Sequence, residues 1–357
     1  MGQDKIHICA EPDALVQLGL NQNFREGLYL KQIIKNKSEI CLIMDEDEFC
    51  TQWNNSESNL RKFFDSYDLA KPKADSDLLK IYKDPSKCFK FDPYAIWFMN
   101  KSESDLEKFR QYLGVWAVNT SNLTDDYFYI EHTRGYDKDD TIEGSKNNGW
   151  GNYLSEIPKQ LPPSNGIVFN DRHLLFNTNE KNAKRWGFYG LNNLKALFDE
   201  LLPQDLKIPY YILIFCQHPK LDIATTDAIV GKFIEDVKSL RKYTINVEFV
   251  YAISRHKRGL HSNYFSFYTD RGFNAFCYNN LKKLNGENDF GIKSYLYNPF
   301  TSGDYEYKYA KGKIDKIKEQ CIEICMDSDT TTNKLEEIKR VCTNSKNFFD
   351  NILFSID

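Results

Sequence analysis

The chain has 357 residues, a formal net charge of −4 and a pI near 6.0, with 41% hydrophobic and 15% aromatic residues. That length predicts two domains, or one large α/β domain with additions, and enough apolar mass for a sizeable core. The balance of 47 basic against 51 acidic residues excludes a protein that coats nucleic acid nonspecifically, since counterion release needs a dense basic surface, but it leaves room for a local basic groove.

The start, "MGQDKIHICAEPD", lacks a basic region followed by an apolar core, so no signal peptide is expected. The longest apolar runs, about eight residues, are far short of a membrane span. None of the nine cysteines forms a C-x-x-C pair, and several sit inside apolar runs. Reduced thiols in a cytoplasmic protein are the expected state.

The first third alternates apolar runs with amphipathic stretches. "KIHICAE", "EICLIMD", "YAIWFMN" and "VWAVN" read as strands. "NFREGLYLKQIIKN", "SNLRKFFDSY", "SDLLKIYKD" and "SESDLEKFRQYLG" read as helices, the last opened by a Ser-x-x-Asp cap. Strand–helix–strand at this spacing predicts a mostly parallel sheet with crossover helices. Residues 131–163 are polar, Gly-rich and then Pro-rich, and read as a linker or lid. The second half restarts with "GIVFND", continues through the strands "IPYYILIFCQH" and "INVEFVYAIS" joined by the helix "TTDAIVGKFIEDVKSLRKY", and ends in helical segments. The expected fold class is α/β: a small mostly parallel-sheet N-terminal domain at 1–130, a second α/β domain at 164–310 and a helical tail at 311–357. "RHLLFN" is expected to pair with or prolong the first strand of that second domain.

Several chemistries find no pattern. G-x-G-x-x-G, G-x-x-x-x-G-K and G-x-S-x-G are absent, as is a Ser-His-Asp arrangement. Asp45, Glu46, Asp47 and Glu48 end a strand, where clustered carboxylates could hold Mg²⁺ for a nuclease. The later strand ends carry Asn100 and Asn119 instead of partner acids. A solvated helix N-terminus is therefore the expected role, with no metal and no cofactor. Trp150, Trp186 and Tyr189 are candidates for stacking on bases.

One stretch carries a denser signal. "VEFVYAISRHKRGLHSNYFSFYTDRGFNAF" joins a strand to His256, Arg258 and Asn263 in the order His-x-Arg-x4-Asn, followed by Arg271, Gly272, Phe273, Asn274 and Phe276. Over residues 164–280 this resembles the phospholipase D-like domain at the C-terminus of MIT-domain proteins and in related bacterial proteins. In the parent motif a His attacks phosphorus, a Lys holds phosphate oxygens and an Asp orients the ring. Here Arg stands for Lys and Asn for Asp, and no second His-x-Lys motif follows; "NDRHLLFN" offers Asp171, Arg172 and His173 in a different pattern. Arg keeps the charge and gains two-pronged phosphate geometry. The resemblance implies a phospholipase D-like α/β domain that binds a phosphodiester, nucleic acid or nucleotide, through Arg258, Asn263 and Arg271. It further implies a setting in bacterial nucleic-acid processing or phage defence. The alternatives are a phosphodiesterase or nuclease with His256 as the catalytic group, its site completed across a homodimer, and a non-catalytic scaffold docking a protein partner through 131–152. Residues two apart share a strand face, so His256 and Arg258 are expected on one side and Lys257 on the other. The bland reading is a charged edge where a strand leaves the core, with His261 a surface or cross-strand residue, Asn263 bonding backbone in a turn, and Gly272 supplying a positive φ.

Overall fold

Two large sheets and a separate two-stranded one, the hairpin of residues 276–284, arise from these segments in a computed structural model that describes residues 5–26, 29–87, 91–124, 127–176, 187–219, 221–252, 258–296, 306–326, 340–341 and 352–354. The first half runs β1 (Ile6–Ala10), α1 (Pro12–Leu20), α2 (Gln22–Glu26), α3 (Tyr29–Gln32), β2 (Ser38–Leu42), α4 (Glu46–Asn54), α5 (Asn59–Ser66), β3 (Lys73–Ala74), α6 (Ser76–Lys83), β4 (Ile96–Met99), α7 (Glu103–Leu113) and β5 (Trp116–Asn119). Its five strands are all parallel, in the order β3-β2-β1-β4-β5. Every residue of β4 is buried, as its unbroken apolar run requires of a central strand covered on both faces. Asp45, Ser58, Asp75 and Ser102 cap their helices through side-chain oxygens, which satisfies otherwise orphaned N–H groups.

The second half runs β6 (Glu131–Tyr136), α8 (Gly149–Ser155), β7 (Gly166–Asn170), α9 (Tyr189–Leu201), β8 (Tyr210–Cys216), α10 (Ile223–Lys238), β9 (Ile245–Tyr251), β10 (Gly259–Ser262), β11 (Phe265–Thr269), β12 (Phe276–Cys277), β13 (Asn280–Leu284), β14 (Asn288–Ser294), α11 (Glu306–Met326) and β15 (Arg340–Val341). The larger sheet has the order β15-β9-β8-β7-β10-β11-β14-β6. As the strand–helix–strand spacing predicts, β8 and β9 are adjacent and parallel, joined through α10. Parallel pairing extends to β7, and the remaining strands are antiparallel.

Three expectations need correction. Residues 131–163 are not a bare linker or lid: β6 pairs with β14, and α8 buries Trp150 and Tyr153 against Phe267 and Phe290. The glycines there read as loop signals, but Gly149 lies where a Cβ would overlap the Phe276 ring, so the small residue admits a packing partner. Residues 172–176 form turns, not a strand. The tail is helical through α11, but Arg340 and Val341 then add a strand to β9, and Ile352–Phe354 is a 3-10 turn.

The sheets share one core. Tyr264 donates its hydroxyl to the Ala95 carbonyl at 2.8 Å and meets Trp116 edge-on at 5.8 Å. Asn165 Nδ2 donates to the Leu113 carbonyl at 2.7 Å. No helix among the described residues is long and apolar enough to cross a membrane.

Candidate functional site

Ligands of open α/β sheets bind at carboxyl edges of strands where the order reverses. In the first sheet that crevice lies between β1 and β4, and Glu11 fills it. Its carboxylate accepts the Asn100 N–H at 2.9 Å and the Tyr82 hydroxyl at 2.8 Å. At the neighbouring end of β2 the acidic cluster serves α4: Asp45 accepts the Asp47 N–H at 2.9 Å, and Glu46, Asp47 and Glu48 occupy the positive first turn. No group of three or more His, Cys, Asp or Glu suited to a metal ion occurs among the described residues.

The carboxyl edge of the second sheet is built differently. β7 ends at Asn170, and the next residue, Asp171, is buried at 1% exposure. Its carboxylate accepts the backbone N–H groups of His173 and Phe273, each at 2.9 Å. Arg258, entering β10, brings Nε to 3.7 Å from the same carboxylate, and its Nη1 donates to the Asp270 carbonyl at 2.5 Å. The guanidinium is thus braced on two sides, with the side chain still 19% exposed. Burial pushes the Asp171 carboxyl up from its ordinary value, against the pull of the two N–H groups and of Arg258. Along the same edge Arg172 Nε donates to Gln217 Oε1 at 2.6 Å.

No protein-family model matches the chain, and no curated protein matches it. The site therefore rests on its own geometry.

Gly272 closes it. Its φ is +106°, and a Cβ there would lie 2.8 Å from Asp171 Oδ2 and 3.3 Å from Arg258 Cδ. The turn is fixed by Gly272 N–H donating to Thr269 Oγ1 at 2.9 Å and by Asn288 donating to the Gly272 carbonyl at 3.1 Å. Gly272→Ala is expected to cost about 1–3 kcal/mol in a urea melt, through backbone strain and displacement of the Asp171–Arg258 pair. A loss under about 0.5 kcal/mol, the usual scatter of surface substitutions, would show that the turn has room to give.

The other expected site residues separate. His256 and Lys257 lie outside the described residues. Asn263 does not join Arg258. It sits in the turn after β10, five residues from Arg258, or about 16 Å along an extended strand. Its side chain is buried and spent on the Pro93 carbonyl at 2.7 Å and the Asn165 N–H at 3.3 Å, where the two sheets meet. Arg271 is in the Gly272 turn, but its guanidinium pairs with Glu287 and with Asp270. His261 is a cross-strand residue, opposite Ser266 and bonded to it at 2.8 Å. Asp171 lies outside the His-x-Arg-x4-Asn segment and fits no His-x-Lys spacing, so the motif does not point to it. A lone Asp directly after an apolar strand was the available signal, since a carboxylate in that position needs partners to be buried.

A cleft of about 630 Å³ opens elsewhere, between α7, residues 154–163 and the end of α9. Its lining includes Glu103, Glu107, Arg110 and Trp116, and none of the Arg258 neighbours. Arg110 is already committed there, donating from Nη2 to the Ala117 carbonyl at 2.9 Å and pairing with Glu103 and Glu107. The cleft therefore presents no uncommitted guanidinium to an anion.

Proposed function

We propose that this protein binds a phosphodiester ligand, nucleic acid or nucleotide, at the carboxyl edge of β7, β8 and β9, with Arg258 as the principal phosphate contact. The observation that carries the reading is the bracing of Arg258 between Asp171 and the Asp270 carbonyl. A guanidinium held in place loses little entropy when it grips a phosphate. The sequence adds charge of the right sign: the residues following β7 include Lys181, Lys184 and Arg185, and those following β9 include Arg255, His256 and Lys257, all outside the described residues. The resemblance to phospholipase D-like domains agrees with a phosphate ligand. Asn263 and Arg271 leave the contact set, because their polar groups are engaged within the protein.

Titration of a labelled oligonucleotide at fixed salt tests this. Arg258→Ala is expected to weaken binding about ten- to a hundredfold, the usual cost of one charge-assisted partner. Arg258→Lys keeps the charge but loses the fork, and falls between the two. Equal small losses for Arg258→Ala and Lys257→Ala would reduce the segment to a charged edge and end the proposal.

A further inference from the structure

The Arg258 turn runs directly into an aromatic rim. Phe273 donates its N–H to Asp171, and the next residue, Asn274, has its side-chain oxygen 3.5 Å from Asn193 Nδ2. Asn193, buried on α9, also accepts the Phe276 N–H at 2.8 Å and donates to the Phe276 carbonyl at 3.0 Å. The segment from Phe273 to Phe276 is thereby stapled to the first turns of α9. At the start of that helix Tyr189 stacks on Tyr278, with ring centroids 4.9 Å apart and planes 25° from parallel. Tyr278 stands in the two-residue turn of the β12–β13 hairpin and is 40% exposed. It lies six positions after Gly272, so the two are within about 20 Å even along a fully extended chain. Between them the Asn274 Nδ2 donor is buried without a hydrogen-bond partner.

We propose that Tyr278, backed by Tyr189, is a stacking platform for the bases of a single-stranded nucleic acid whose backbone is held by Arg258; this rests on the phosphate reading of Arg258 above. Single exposed aromatic residues are ordinary on protein surfaces. What sets Tyr278 apart is a partner ring that fixes its plane, a tight turn that presents it, and a place six positions along the chain from the turn that meets Arg258. A ring already stacked on one side surrenders little freedom when a base covers more of it. The bases of a duplex are stacked on each other and cannot reach such a rim, whereas every base of a single strand has a face to offer. The ligand is thus a single strand, read by stacking and charge with little dependence on sequence.

Three probes decide it: a single-stranded oligonucleotide, a duplex of the same sequence, and an abasic strand with the same backbone. The single strand is expected to bind most tightly. Tyr278→Ala weakens its binding about 5- to 100-fold, the range for loss of one stacked base, while Tyr278→Trp preserves it. Tyr278→Ala leaves the abasic strand unchanged, and Arg258→Ala weakens all three. The platform is overturned if the duplex binds as well as the single strand, or if Tyr278→Ala leaves single-strand affinity unchanged or weakens the abasic strand equally. In those outcomes a loss in Arg258→Ala still upholds the phosphate site. If no probe responds to Arg258→Ala, the phosphate reading itself fails and the platform falls with it.

Discussion

Asp171→Ala is expected to lower stability by about 3–5 kcal/mol, because it removes the partner of a largely buried charge and leaves two backbone N–H groups without acceptors. The carboxylate of Asp171 accepts from His173 and Phe273 and faces Arg258, whose Nε has no hydrogen-bond partner of its own. Burial holds the Asp171 carboxyl above its ordinary range, so ionising it at neutral pH is itself costly. The pair is therefore a poor source of net stability, and its worth lies in orientation: it fixes where the Arg258 guanidinium points. Deleting the Arg258 charge as well should recover part of the loss, since the double variant buries no unpaired ion. Urea melts of Asp171→Ala, Arg258→Ala and the double variant measure this. Additive single losses, with no coupling between the two sites, would show that the residues do not act as a pair.

The legibility of this fold in the sequence followed the strength of the local signal. β8 and β9 are long apolar runs flanking an amphipathic helix, and the parallel pair formed as that pattern predicts. β3 is two residues long and β13 has only one buried residue, so neither rises above its surroundings as a periodic segment. β6 has no buried residue at all. It exists because β14 offers it an unpaired edge, a tertiary fact with no trace in its own polar sequence. The site divides in the same way. Arg258 and Gly272 stand out by residue type and by a turn that demands a positive φ. Asn263 matched a motif by spacing alone, and the fold used it to join two sheets instead. The Asp171–Arg258 pair spans 87 positions of the chain, beyond the reach of any local pattern.

The second large effect concerns pH and the helix that follows β14. At the start of α11, Glu306 accepts the Tyr268 hydroxyl, and Ser266 bonds His261 at 2.8 Å. Lys313 on α11 is the charge that acts on His261. Burial raises the Glu306 carboxyl from its ordinary 4.5 to about 7 and lowers the His261 imidazole from 6.5 to about 3. The folded carboxyl keeps its proton where the unfolded chain has lost it. Its contribution to stability is complete below pH 4.5 and is lost as the pH rises through about 7. His261 runs the other way: its neutral form contributes fully above pH 6.5, and the contribution is lost as the pH falls toward about 3. Between these limits the two slopes oppose each other, so the wild-type protein should be nearly indifferent to pH from 4.5 to 6.5 as far as these groups are concerned. Glu306→Gln keeps the hydrogen bonds of the protonated acid and removes its titration. The stability of the wild type relative to this variant is expected to fall by roughly 3 kcal/mol as the pH rises from 4.5 past 7, at 1.36 kcal/mol for each pKa unit. The variant itself should become more stable over the range where the wild type is flat, because His261 then titrates unopposed. Urea melts of both proteins across that range measure the difference directly. A difference that stays constant with pH would mean that Glu306 ionises freely at the start of α11, with water reaching it past Tyr268.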